Sequence, residues 1–313
     1  MKRIRRFFIY SLVGLFSFMF FLYLSFPYNI LKEGLSAQIS NVTQLNLTVG
    51  ELKSRFPLGL KAEKITIYNP MGGKQFTFNE LSVRLSFLGL LIGNLTADLE
   101  IVDESNGRIE LSGSISLFDI LKIGKESILP KRIDFNAKDF LFGDIVNFLL
   151  SAKANNEGTN ALLKPLLEKI EIKGKLNSKV SLNLNSDDVS QSKGETSFDV
   201  KGATIDFDKG LQLPNQVFDS ALFKAVSNSG QIAIDQSSLF KSQDLELAIH
   251  GKIIQKQKFD KSQMDVDMLL SMRGAFKEQI GFILDTIFNR SNSEGMFKIK
   301  ISGQLSSPQV DFL

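Results

Sequence analysis

The chain has no cysteine and no tryptophan, and its single histidine is His250. Without cysteine there are no disulfides, no thiolate metal sites and no cysteine nucleophile. Zinc sites need several His or Cys ligands, so they are excluded as well. His250 lies on the polar side of an alternating segment, where we expect a solvent-facing strand residue.

Sequence patterns of common active sites are also missing. There is no Gly-x-Ser-x-Gly elbow, no phosphate-binding loop and no Gly-x-Gly-x-x-Gly. Asp265 and Asp267 share one face of a predicted strand and Asp187 adjoins Asp188 in a predicted turn, but no twelve-residue calcium loop surrounds them. We interpret these carboxylates as solvated. The sequence therefore supplies no catalytic, cofactor-binding or metal-binding residues, and we expect a protein that is not an enzyme.

Charge excludes another class of function. The net charge is +3, and the four basic residues among positions 1–6 exceed that total, so the rest of the chain carries −1. A nucleic-acid-binding domain normally carries a basic stripe in its folded part. We therefore expect no nucleic-acid partner.

The start of the chain has the pattern of a membrane anchor. Residues 7–26 contain no charged side chain, and 20 helical residues rise about 30 Å, the thickness of a bilayer's hydrocarbon core. Basic flanks stay cytoplasmic, so we predict a cytoplasmic segment 1–6, a transmembrane anchor 7–26 and a periplasmic domain 27–313 at a bacterial inner membrane. A cleaved signal peptide is the alternative, but its apolar region usually runs only about 7–15 residues.

Beyond residue 27 the apolar residues alternate with polar ones, which is typical of strands with one apolar face. The clearest cases are residues 109–117, 170–176, 245–253 and 297–305, and a turn is predicted between 170–176 and a continuation at 180–184. Further strands are predicted at residues 45–52, 60–69, 76–85, 96–102, 132–139, 198–204, 231–235 and 264–272.

One phrase recurs in four of these strands: apolar-x-apolar-x-Gly-x-apolar. Its glycines are Gly113, Gly174, Gly251 and Gly303, and the spacing between copies is irregular, so the chain is not a solenoid of fixed period. Scattered glycine is ordinary in β proteins. Four copies in one register favour an architectural role, in which glycine allows a bulge, a bend or the close approach of another layer.

Three later segments have helical periodicity, namely 142–154, 160–169 and 275–289. Each is expected to cover part of an apolar sheet face. The apolar stretch 87–93 is too short to span a bilayer. It is predicted to form either a buried turn, which we favour, or a segment that touches the membrane surface.

Two segments carry a resemblance to known proteins. The first is Arg55-Phe56-Pro57-Leu58-Gly59-Leu60, which leads into the strand at 62–68. The second runs from Ile299 to Pro308 and continues to Val310 and Phe312. With the basic start, the single span and the β-rich remainder, they resemble the type II secretion system protein N (GspN) family over essentially the whole chain. The second segment is also similar to the AsmA-like group, where a final strand ending Gly-x-Leu-x-x-Pro is frequent.

The two resemblances imply different roles. The first implies a non-enzymatic inner-membrane component of a type II secretion system, with other secretion subunits as partners and no cofactor. The second implies a lipid-binding or phospholipid-transport module with an apolar β-groove, although a chain of this length is too short to cross the whole periplasm alone. Either way we predict a mainly β protein, in which a transmembrane helix precedes a large antiparallel, curved or groove-like sheet with a few covering helices.

Overall fold

A computed structural model describes residues 45–55, 58–70, 75–86, 93–116, 130–154, 169–185, 188–207, 213–256, 259–281 and 296–312, with isolated positions in 10–37 and residues 89, 164 and 167. Strands account for most of these residues. In chain order they are β1 (Asn46–Arg55), β2 (Gly59–Tyr68), β3 (Gln75–Ser86), β4 (Asn94–Asp103), β5 (Arg108–Ser116), β6 (Arg132–Leu141), β7 (Ile170–Asn183), β8 (Lys193–Phe207), β9 (Gln216–Asn228), β10 (Gln231–Ile234), β11 (Leu239–Ser242), β12 (Leu245–Ile254), β13 (Gln263–Met272), β14 (Met296–Gln304) and β15 (Ser307–Phe312).

All these strands form one antiparallel sheet, as predicted. Its order follows the chain from β1 to β15. The short strands β10 and β11 share one position between β9 and β12, because both of them pair with both neighbours. Successive strands of an antiparallel sheet need only short connections, which agrees with this meander.

The break between β10 and β11 is closed by a serine. The hydroxyl of Ser238 accepts a hydrogen bond from the Lys224 amide at 2.9 Å and donates to the Lys224 carbonyl at 3.2 Å. Ser238 is fully buried. Its side chain thus takes over the ladder bonds that the strand's own backbone would otherwise make to β9.

Two helices lie at one end of the strands, which we name the helix end; the other end is the far end. Helix α1 (Phe142–Ala154) follows β6 and agrees with its prediction. Helix α2 (Gly274–Phe276) follows β13 and continues as a π-helical turn, Lys277–Gly281. The sequence predicts an α-helix over 275–289. In the structure, α2 and the π-helical turn together cover residues 274–281, and residues 282–295 lie outside the described residues.

Asn147 attaches α1 to the sheet. Its amide nitrogen donates to the Ile172 carbonyl and its amide oxygen accepts from the Ile172 amide, both at 2.8 Å. Strand β6 ends before it reaches this part of β7. The asparagine therefore satisfies two backbone groups that lack a strand partner on that side.

The hydrophobic core consists of two clusters near the helix end. The first core is Val49, Ala62, Ile65, Phe78, Ala137, Phe140 and Leu176, and the second core is Leu213, Met272, Phe276 and Phe297. The rings of Phe78 and Phe140 lie 6.2 Å apart, although β3 and β6 would be about 14 Å apart in a flat sheet. The sheet therefore curls toward its apolar side at this place.

The strand predictions need correction at four places. Strands β11 and β15 were not predicted, since the predicted strands end at residue 235 before β11 and at residue 305 before β15. Strand β7 is continuous, with no turn between 170–176 and 180–184; Ser178, which reads as a turn residue, is buried within it. Strand β9 was not predicted, because apolar side chains occur on both of its faces and obscure the alternation. The predictions for 87–93 and 160–169 lie almost wholly outside the described residues.

The predicted anchor, residues 7–26, also lies largely outside the described residues. Tyr10, Gly14, Ser17 and Phe21 are described, and each is helical. Among the described residues, no helix combines the length and the apolar character needed to cross a bilayer.

Candidate functional site

One face of the sheet is mainly apolar, and we name it the apolar face; its buried Asp103 lies at the helix end. Directly paired residues of an antiparallel sheet point to the same side, so the register shows which side chains lie together. One row, here the transverse row, crosses the sheet without a charged side chain: Leu60, Val83, Leu99, Leu111, Phe135, Val180, Thr196, Ala225, Ile234, Gly251, Val266, Ile301 and Val310.

A second uncharged row runs beside it toward the far end. It consists of Leu85, Ala97, Gly113, Ile133, Leu182, Gly194, Ser227, Ile232, Ile253, Met264, Gly303 and Pro308. At about 4.8 Å per strand, the transverse row is roughly 58 Å long. The apolar face is therefore one continuous surface from β2 to β15.

Most side chains on this face are only half-buried. Leu111 is 37% exposed, Leu85 is 36% exposed and Val310 is 49% exposed. Helix α1 covers part of the helix end, where Phe148 packs edge-on against Phe76 with ring centroids 4.9 Å apart. A single sheet must cover its apolar side with something, and the middle and far end of this face are only partly covered.

The opposite side, the charged face, carries ion pairs between neighbouring strands. Lys61 of β2 contacts Glu80 of β3 at 2.9 Å, and Lys173 of β7 contacts Asp206 of β8 at 2.7 Å. Hydrogen bonds that Lys61 donates to Glu80 and Glu63 raise its pKa above the ordinary value. Exposed pairs of this kind contribute little stability each, but they show that water faces this side.

A shallow depression of about 370 Å³ lies on the charged face. Its charged lining residues are of both signs, namely Arg55, Arg84, Asp98, Glu100, Glu110 and Asp134. Arg55 hydrogen-bonds Ser82 and contacts Glu100 at 3.0 Å, and Asp134 pairs with Arg132. A lining of mixed sign, in which several charges already have partners, is a weak site for a charged ligand. We therefore place the candidate site on the apolar face.

The structure locates the titratable residues that the sequence singled out. His250 is on the charged face, half-exposed, with Nε2 3.9 Å from Asp267 Oδ2; the prediction of a solvent-facing strand histidine is confirmed. Asp265 contacts Lys300 at 3.1 Å. Asp188 hydrogen-bonds Ser190 in its own turn. Each of these carboxylates has a surface partner, and among the described residues no three His, Asp or Glu side chains gather around a possible metal position.

Comparison of the chain with protein-family models, curated proteins and solved structures gives no match. The site is therefore argued from its own geometry. Sequence alternation identified most of the apolar strands one at a time. It missed Ala225 and Val310 of the transverse row, because β9 and β15 were not predicted. Only the observed register shows that the rows join.

Proposed function

We propose that the apolar face binds the acyl chains of phospholipids, and that the protein is a non-enzymatic lipid-handling module attached to a bacterial inner membrane. One observation carries this proposal: the transverse row crosses thirteen strands without a charge and is half-buried along most of its length. The predicted anchor at 7–26 agrees with it, since an anchor would place the face beside a source of lipid.

Acyl chains fit this face better than a protein partner does. Protein interfaces carry a polar rim and about one hydrogen bond per 100–200 Å². The sheet's backbone groups are largely engaged in its ladder, and the transverse row adds only the hydroxyl of Thr196. Hydrocarbon needs no such partner, and each methylene removed from water contributes about 0.8 kcal/mol.

The first test is native mass spectrometry, with lipid extraction, of the full chain purified in mild detergent. We expect stoichiometric phospholipid. A folded protein that carries none would mean that the apolar face is closed by the protein itself, and the lipid proposal would be wrong.

A pair of substitutions locates the binding. Leu111→Asp places a charge on the apolar face, whereas Val226→Asp places the same charge on the opposite side, at a position that is 53% exposed. Both sites are exposed enough for the charge to reach water, so we expect both variants to fold. Leu111→Asp should lose most of the bound lipid and Val226→Asp should keep it. Equal retention by both variants would argue against binding on this face.

A second candidate function is the secretion component that the GspN resemblance implies. Strand β15 favours it, because β15 is an edge strand of the sheet and its side chains from Ser307 to Asp311 are exposed. An open edge can pair with a strand of another subunit. Deletion of the gene should then impair secretion of folded proteins, and normal secretion in the deletion strain would count against this role.

A further inference from the structure

The charged face carries an apolar row of its own between β8 and β14. Its members pair directly from strand to strand, and we name them the outer row: Asp199, Leu222, Leu239, Ala248, Leu269 and Lys298. Four apolar side chains thus lie between a carboxylate at one end of the row and an ammonium group at the other. All four are half-buried, so water reaches them in a single copy of the protein.

The two charges that end the outer row have no ionic partner in their own sheet. Among the described residues, no ion pair includes Asp199 or Lys298, although Lys201, Lys300 and Glu246 nearby are paired. Lys298 is exposed and Asp199 is partly exposed. A binding partner for this row therefore needs an apolar centre, a cation opposite Asp199 and an anion opposite Lys298.

A second copy of the same row meets this requirement when it is reversed. A twofold axis parallel to the strands, midway between Leu239 and Ala248, brings Asp199 opposite the partner's Lys298 and leucine opposite leucine at the next positions. That axis keeps the strands of the two sheets aligned, as in most face-to-face sheet pairs. An axis along the row would instead place Asp199 opposite itself, and like charges at such positions are unfavourable.

The same axis matches charges in the two neighbouring rows. Toward the helix end, Lys241 of β11 comes opposite the partner's Glu246 in β12. Toward the far end, Lys224 of β9 comes opposite the partner's Asp267 in β13, since each lies two residues beyond a leucine of the outer row. Strands β9 and β13 are equally distant from the axis. Because a twofold contact repeats every pair, the match in each row is made twice.

We infer that two copies of the protein pair back to back through the outer row. The inference goes beyond the proposed lipid function, because the apolar faces of both copies stay open. Three rows about 7 Å apart on six strands about 4.8 Å apart cover roughly 500 Å² of each copy. The total of about 1,000 Å² is near the lower limit of specific interfaces, so the dissociation constant should be on the order of micromolar.

The experiment measures self-association of the full chain in mild detergent by sedimentation velocity, at concentrations on both sides of the micromolar range. The wild type should pass from monomer to dimer. D199K and K298D should each raise the dissociation constant about tenfold, because one reversed charge turns two attractions across the axis into two repulsions. The double variant D199K/K298D exchanges the two charges and should associate like the wild type.

Mixing the two single variants tests the reversed arrangement directly. In a mixed dimer, both charge pairs across the axis are again of opposite sign. An equimolar mixture of D199K and isotope-labelled K298D should therefore form mixed dimers in preference to either homodimer, and native mass spectrometry distinguishes the three species.

A second pair of variants separates the two faces. Leu269→Asp places a charge in the apolar part of the outer row and should abolish the dimer while lipid is retained. Leu111→Asp, on the apolar face, should keep the dimer. Circular dichroism checks the fold, and if Leu269→Asp is unfolded, the charge variants, whose side chains reach the surface, still decide the question.

Three outcomes would overturn the inference. A wild type that stays monomeric at every concentration has no such interface. A dimer that neither D199K nor K298D weakens forms through another surface. If both single variants weaken the dimer but D199K/K298D does not restore it, the two residues do not face each other. Each of these results leaves the lipid proposal unchanged, because bound lipid is measured separately.

Discussion

Buried serines interrupt the hydrocarbon of the apolar face, and they differ in what their hydroxyls contact. Among the described residues, Ser178 Oγ is buried without a hydrogen-bond partner. Ser227 Oγ instead lies 3.2 Å from the Ser192 carbonyl and 3.1 Å from Gln255 Oε1. A buried hydroxyl without a partner costs free energy, whereas a paired one contributes.

We therefore expect Ser178→Ala to raise the free energy of unfolding by about 1 kcal/mol, because it removes a group that is desolvated without compensation. Urea unfolding followed by circular dichroism measures the change. Ser227→Ala is the matched control and should lower stability by about 1 kcal/mol. A stability loss in both variants would show that Ser178 has a partner in solution.

The recurring glycines also differ from one another. Gly251 has a φ of +140°, and a Cβ there would overlap the Asp265 carbonyl. A Cβ at Gly113 would meet nothing nearer than the Arg132 carbonyl oxygen at 3.9 Å. The same sequence phrase thus marks a strained backbone position in β12 and an ordinary one in β5.

Gly251→Ala should lower the free energy of unfolding by about 1–3 kcal/mol, since alanine is strained at this φ and lacks space. Gly113→Ala should be neutral or should stabilise by up to about 1 kcal/mol. Thermal unfolding of both variants tests this pair. Equal losses would mean that all copies of the phrase share one structural role.

The architectural role predicted for these glycines is therefore correct only in part. Gly174 stands at a bulge with a φ of +144° and Gly303 has a φ of +91°, as a bulge or bend requires. Gly113 has no such feature. Spacing identifies the face on which a glycine lies, but the backbone angle depends on the neighbouring strand, which the sequence does not show.

At the scale of elements, alternation predicted most strands because one face of each is apolar and the other polar. It failed where that contrast is lost. In β9, Val217 and Val226 point to the charged face and are exposed. Apolar residues therefore occur on both faces of this strand. The charged face accordingly carries a short row of apolar side chains here: Leu222 pairs with Leu239, Leu239 with Ala248, and Ala248 with Leu269.

The pairing of β6 with β7 should respond to acid. Hydrogen bonds from Arg132 and Ser181 hold the pKa of Asp134 below its ordinary value of 3.8. A carboxyl whose pKa is lower in the folded state contributes stability above its unfolded pKa, and that contribution is lost as the pH falls through the folded value. Asp134 therefore stabilises the sheet above about pH 3.8 and ceases to do so in stronger acid.

The measurement is the urea midpoint as a function of pH for the wild type and Asp134→Asn. The variant should be less stable than the wild type at neutral pH, and the two curves should converge below pH 3.8. Because Asp134 is partly exposed, the difference should be under about 1 kcal/mol. Curves that stay parallel through this range would exclude Asp134 as the titrating group.

At the scale of the whole molecule, the two cores share no residue. The first core draws on strands β1–β3, β6 and β7, and the second on Leu213, β13, β14 and α2. Between them the sheet is continuous through β8 to β12, which contribute few buried apolar side chains. Regions with separate cores can open separately.

Phe276→Ala should therefore loosen one part of the sheet more than the other. Phe276 is 3% exposed and its ring centroid lies 5.1 Å from that of Phe207, so its truncation should cost about 3–5 kcal/mol. Hydrogen exchange followed by mass spectrometry should show faster exchange in β12–β14 and unchanged exchange in β1–β6. Uniform acceleration would show that the sheet unfolds as one unit.

The transverse row is also a property of the whole molecule. All its members except Ala225 and Val310 lie in segments predicted as strands or next to one. Whether Leu111 faces Leu99 or its neighbour depends on register, and register is set by turn lengths and bulges such as those at Gly174 and Asp139. That is why the sequence could predict strands with apolar faces but could not show that these faces form one surface.

The meander has a consequence for the order of assembly. Since nearly every strand pairs with the one made just before it, most of the loops that must close are short and their entropic cost is small. The connections before β6, β7 and β14 are longer. The sheet can therefore grow in the direction of synthesis, one hairpin at a time, without waiting for the C-terminus. At every stage, the newest strand provides the template for the next one.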